Sequence, residues 1–115
     1  MDYYQVSVSD WIVSGKSVEI IFNKITSESV KRFPDGSYNI ELENAVSEPD
    51  LFDRLKEKEY SIKREYKVYS PEGIGDEYCK SMEEKFFGAK IIAAKHQSSV
   101  NEVATYSVYI TNKEQ

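Results

Sequence analysis

Residues able to do chemistry are sparse in this chain, and the setting of each narrows its use. His96 is the only histidine, so a metal site built on several imidazoles, or a mechanism passing a proton between two, has no second partner. It ends an apolar segment and precedes the polar run Gln97-Ser98-Ser99-Val100-Asn101, the place of an exposed loop residue. Cys79 is the only cysteine. A thiolate activated by His96 is the one nucleophilic pairing on offer, and the nearby Asp76, Glu77 and Glu83 disfavour a thiolate. Cys79 reads better as a small core residue.

Glu41 and Glu43 stand two apart, which on a strand places both carboxylates on one face about 7 Å from each other. Paired glycosidase carboxylates have such a separation but come from different elements lining a cleft; here a solvated or partner-binding face is the simpler reading. Gly73-Ile74-Gly75 has the look of a phosphate-binding turn. The third glycine of a dinucleotide fingerprint falls on Tyr78, no P-loop lysine follows, and Glu72, Asp76 and Glu77 would repel phosphate. A connector is expected there. Arg64 shares a strand face with Ile62, Tyr66 and Val68, and a guanidinium turned inward needs a carboxylate or an anionic ligand. Among the nine tyrosines, Tyr66 and Tyr106 fall on inward faces, whereas Tyr69 and Tyr109 alternate outward among polar neighbours and are suited to anchoring a partner.

The elements that position these residues are legible mainly as strands. Tyr4, Val6 and Val8 alternate with polar neighbours, and the strand continues irregularly from Trp11 to Val13. Ser14-Gly15-Lys16 turns the chain into a second strand through Val18, Ile20 and Phe22. Residues 26–33 fit a short helix or a strand, with the strand favoured because Phe33-Pro34-Asp35-Gly36 is a turn signal leading into the alternation Tyr38, Ile40, Leu42. Ser47-Glu48-Pro49-Asp50 has the cap, proline and acidic residues of a helix start, with Val46 and Leu51 as a staple, predicting a helix to about Glu59. Ile62, Tyr66 and Val68 mark another strand ended by Pro71. Tyr78, Met82 and Phe86 recur every fourth residue and predict a second helix stopped by Gly88. Strands over 89–95 and 103–111 close the chain. The fold expected is α+β: one domain over residues 1–115, with a mainly antiparallel sheet that begins as an N-terminal β-meander and carries two helices packed on it.

Size and composition bound the function. A chain of 115 residues with 40% hydrophobic and 30% charged residues can bury a core without staples. An unpaired cysteine and a start without a basic, apolar signal point to the cytoplasm, and no apolar run is long enough to span a membrane as a helix. The net charge of −5 disfavours direct nucleic-acid binding. Charge is polarised: residues 35–53 carry six carboxylates and no Lys or Arg, while residues 54–70 carry six basic residues against three acidic ones. No cofactor or metal is implied.

These features share the profile of small inhibitors such as immunity proteins against nuclease toxins, or phage proteins that block host defence enzymes. The leading expectation is a non-catalytic inhibitor of a basic protein, such as a nuclease, with Glu41, Glu43, Glu48, Asp50 and Asp53 steering the encounter and Tyr69 and Tyr109 anchoring it. One alternative is a small enzyme or ligand-binding domain with a pocket between sheet and helices near Arg64. Another is an assembly subunit that pairs through a strand edge.

Overall fold

The computed structural model describes residues 4–5, 9–96 and 104–113; the alternation at 6–8 and the polar loop 97–101 lie outside them. The chain forms β1 (Tyr4–Gln5), β2 (Asp10–Ser14), β3 (Glu19–Phe22), β4 (Ser27–Arg32), β5 (Tyr38–Ser47), one helical turn α1 (Leu51–Arg54), β6 (Tyr60–Tyr69), a 3₁₀ turn at Asp76–Tyr78, β7 (Cys79–His96) and β8 (Ala104–Thr111). All strand pairs are antiparallel. They lie in the order β3-β2-β6-β7-β8-β5-β4, and β1 pairs with the far end of β6.

The two ends of that order meet. β3 and β4 are consecutive, separated by a bend at Lys24, whose φ of 49° lies in the left-handed region. On leaving β3, Asn23 exchanges both backbone hydrogen bonds with Val46 of β5, at 3.0 and 2.8 Å. β3 thus pairs with β2 by its body and meets β5 at its end through this single bridge, so the sheet closes on itself as a flattened barrel, and the molecule measures 24 Å along its short axis. β7 makes the other corner. Its first half pairs with β6 and its second with β8, and one extra residue at Phe87–Gly88, with Gly88 at φ 65°, bends it between the two. A second bulge, at Glu43–Asn44, curves β5.

Period-two patterning fills the interior: Trp11, Val13, Ile20, Phe22, Ile40, Leu42, Ile62, Phe86, Tyr106 and Ile110 are fully or almost fully buried. Trp11 lies against Phe86 with centroids 5.7 Å apart, and Tyr38 meets Phe86 edge-on at 5.1 Å.

The expectation of an α+β fold with two packed helices is overturned, because among the described residues helix amounts to one four-residue turn and one 3₁₀ turn. Tyr78, Met82 and Phe86 misled for a simple reason: a spacing of four is also an even spacing, so such residues share one face of a strand as readily as one face of a helix. Met82 and Phe86 face Tyr66 and Ile62 across the ladder, and Gly88 serves a bulge rather than a helix stop. The first expected helix shrinks to Leu51–Arg54, and its cap, Asp50, makes no side-chain capping bond. Ser47 is instead the last residue of β5. Further along, the Glu57 carboxylate accepts two bonds from the Lys16 amide, at 2.9 and 3.0 Å, and the Glu57 amide donates to the Tyr60 hydroxyl at 2.8 Å. The bonds from Lys16 hold the segment across the barrel mouth, where a short helix with only Leu51, Phe52 and Leu55 to bury has little to sustain it. The ambiguous residues 26–33 are strand, and Phe33 to Ser37 form the expected turn, with Gly36 at φ 88° and Asp35 accepting from the Ser37 amide at 2.9 Å.

Candidate functional site

Sequence reasoning left open what Arg64 does. On the inner face of β6 its Nε donates to Ser9 Oγ at 2.8 Å, one terminal nitrogen donates to Glu28 at 2.9 Å, and the other to Glu84 at 3.0 Å. Trp11 Nε1 and Ser9 Oγ also donate to the Glu28 carboxylate, at 2.8 and 2.9 Å, and Arg32 holds the second oxygen of Glu84 at 3.1 Å. The guanidinium lies over the Tyr66 ring at 4.7 Å. Burial by itself raises the Glu28 carboxyl, but the bonds from Trp11 and Ser9 and the charge of Arg64 outweigh it and hold it below the ordinary carboxylate value. Among the described residues Arg64 and Arg32 meet Glu28 and Glu84, so the inward guanidinium is answered by the protein's own acids. Two surface depressions, of about 520 and 750 Å³, run along Asp10, Glu65, Lys67 and Glu83 and along Lys16 and Glu57–Ser61, and Arg64 lines neither.

Cys79 and His96 sit at opposite ends of the 18-residue β7, which removes the thiolate–imidazole pairing. His96 meets Ser107 Oγ at 2.8 Å on the neighbouring strand.

The outer face of β5, β8 and the second half of β7 gathers part of the expected partner site. Glu41 is the direct cross-strand neighbour of Tyr109, which in turn faces Ile92; Ser29 of β4 extends the row beyond Glu41. Glu43, Ser107 and Ala94 flank it, and together these side chains line a shallow concavity of about 330 Å³. Ile92 is 55% exposed in its floor. Glu41 and Glu43 have no ion-pair partner among the described residues. One row away, Lys31 and Lys90 bound the acidic patch, at the ends of the line Lys31, Asn39, Thr111, Lys90.

The other expected residues lie elsewhere. Glu48, Asp50 and Asp53 belong to the segment across the barrel mouth, which bonds to the interior side of the same strands: the Tyr106 hydroxyl donates to the Glu48 carbonyl at 2.6 Å, and Phe52 meets the Tyr106 ring at 5.8 Å. Glu48 is paired with Arg54. Tyr69 is exposed but stands at the start of the β6–β7 hairpin loop, opposite Cys79. Ile92 was missed because both registers of Lys90 to Lys95 carry an apolar residue, Ile91 and Ala93 inward and Ile92 and Ala94 outward, so alternation alone did not choose a face.

No protein-family model matches the chain, and no curated protein or solved structure matches it either. No helix among the described residues is long and apolar enough to cross a membrane.

Proposed function

We propose that this chain is a non-catalytic, protein-binding inhibitor of immunity or anti-defence type, acting in the cytosol and holding a basic protein against the outer face of β5, β8 and β7. The observation that carries the reading is the row Glu41, Tyr109, Ile92 with Glu43 beside it: two carboxylates without an ion-pair partner among the described residues, next to an aromatic and an exposed aliphatic side chain on one sheet face. Unpaired acids steer a basic surface during encounter, and the apolar pair supplies the contact area that holds it afterwards. A nuclease carries positive charge where it grips phosphates, so such a face can occupy that groove in place of nucleic acid. The ligand-pocket alternative loses its motive, because Arg64 is already matched by Glu28 and Glu84. Glu48, Asp50 and Asp53 add to the field without joining the contact.

The test is affinity capture of the partner from the native host, followed by binding kinetics across a salt series. Glu41→Lys with Glu43→Lys should chiefly slow association, and wild-type association should slow as salt rises, because exposed charges are screened over about 8 Å at physiological ionic strength. Tyr109→Ala or Ile92→Ser should chiefly speed dissociation. Association indifferent to both salt and charge reversal would leave the face merely solvated.

A further inference from the structure

The exposed apolar side chains of this protein differ in how they are supported. Phe33 lies under the Lys113 ammonium at 4.2 Å and Phe52 against Tyr106, whereas Ile74 is 98% exposed. It sits in the loop between β6 and β7, on a hairpin that leaves the core. Ile62 and Phe86 belong to the central cluster, but Tyr66, Val68 and Met82 do not, and the radius of gyration of 15.4 Å exceeds the about 13 Å expected of a compact chain of this length.

The loop is built to hold Ile74 outward. The Ser70 amide donates to the Tyr78 carbonyl at 2.8 Å, closing its base, and the Tyr78 amide donates to the Gly75 carbonyl at 3.0 Å. The Tyr78 ring lies so close over Gly73 that a Cβ there would fall 2.3 Å from it. Gly75 has φ 115°, which side-chain-bearing residues rarely adopt. From Ser70 to Tyr78 the only charges are the exposed carboxylates Glu72, Asp76 and Glu77. An aliphatic tip inside an acidic collar complements an apolar pocket with a basic rim and is repelled by an anionic lipid surface.

We propose that the β6–β7 hairpin tip is a second docking element, independent of the Glu41–Tyr109–Ile92 face, which inserts Ile74 into an apolar pocket ringed by Lys and Arg on a protein partner. Tyr69, exposed at the base of the loop, broadens the contact.

The experiment follows methyl-labelled isoleucines by NMR during titration with a synthetic amphipathic helix of Leu and Lys, which offers an apolar stripe bordered by cations. The Ile74 methyls should shift, and Ile74→Ser, followed through the backbone amides of Gly73 and Gly75, should bind the helix at least about tenfold more weakly. Because Ile74 makes no internal contact, that variant keeps the wild-type spectrum elsewhere. Glu41→Lys with Glu43→Lys should leave the Ile74 titration within about twofold, a result that separates this proposal from the sheet-face reading. Three outcomes would overturn it: shifts at Ile92 with none at Ile74, equal affinity for a Leu and Glu helix, or an equal Ile74 response to phosphatidylcholine vesicles.

Discussion

The two mouths of the barrel are closed by different chemistry. At one, the segment after β5 lays Leu51 fully into the interior, with Phe52 on Tyr106, and ties itself down through Glu57 and Arg54, the latter donating to the Glu19 carbonyl at 2.9 Å. At the other, where Glu28 of β4 reaches Ser9 and Trp11 at the start of β2, Arg64, Glu28, Glu84 and Arg32 gather over the rings of Trp11 and Phe86. The apolar plug draws its stability from area removed from water and tolerates changes of shape in proportion to the volume lost. The ionic plug gains little net stability over an apolar one of equal size, yet losing Arg64 or Glu28 alone leaves the other's charge poorly matched where their side chains are only 12% and 16% exposed.

Single truncations should bring the contrast out most strongly. Arg64→Ala leaves Glu28 without its cation and Glu84 with Arg32 alone, and should cost about 3–5 kcal/mol. Leu51→Ala at the opposite mouth opens a cavity and should cost about 2–5 kcal/mol, with the lower part of that range expected because the short segment can settle into the space. Chemical denaturation read by tryptophan fluorescence compares the two, and an Arg64→Ala midpoint close to wild type would show that the ionic plug is dispensable.

Replacing the pair sharpens the comparison. Glu28→Met with Arg64→Met removes both charges together, keeps Glu84 with Arg32, and should recover most of the loss of Arg64→Ala, ending within about 1–2 kcal/mol of wild type in either direction. If the double variant is as damaged as the single one, the network stabilises the fold through its hydrogen bonds rather than merely balancing charge.

How much of this was legible beforehand differs between the two mouths. The barrel staves were readable wherever alternation was strict, as in Tyr38, Ile40 and Leu42, because one buried face fixes the parity of every residue on a strand. Phe86 was correctly assigned to the core for the wrong element, since its spacing from Met82 fits both periods. The α1 region misled because its helix signals are all local, while what shortens it is a carboxylate that bonds to a backbone amide 41 positions away. Arg64 was recognisable as an inward cation, but its partner Glu28 lies 36 positions earlier on a strand with weak patterning. At the candidate face, parity alone turned Glu41, Glu43 and Tyr109 outward; bringing them together with Ile92, and separating them from Tyr69, required the strand order.

The smallest effect expected is in acid, and it belongs to the ionic mouth alone. Glu28 is held below the ordinary carboxyl value of 4.5 in the folded chain, so the unfolded chain takes up its proton first as pH falls. Its contribution is complete at neutral pH, begins to fade as pH drops through about the unfolded value, and is gone below the folded one. Leu51 carries no titratable group. Wild-type stability measured from pH 7 down to pH 3 should therefore fall more steeply than that of the Glu28→Met, Arg64→Met variant, the difference between the two curves opening only below about pH 5. Parallel curves would mean that other carboxylates govern the acid limb and that the ionic mouth is already open before Glu28 titrates.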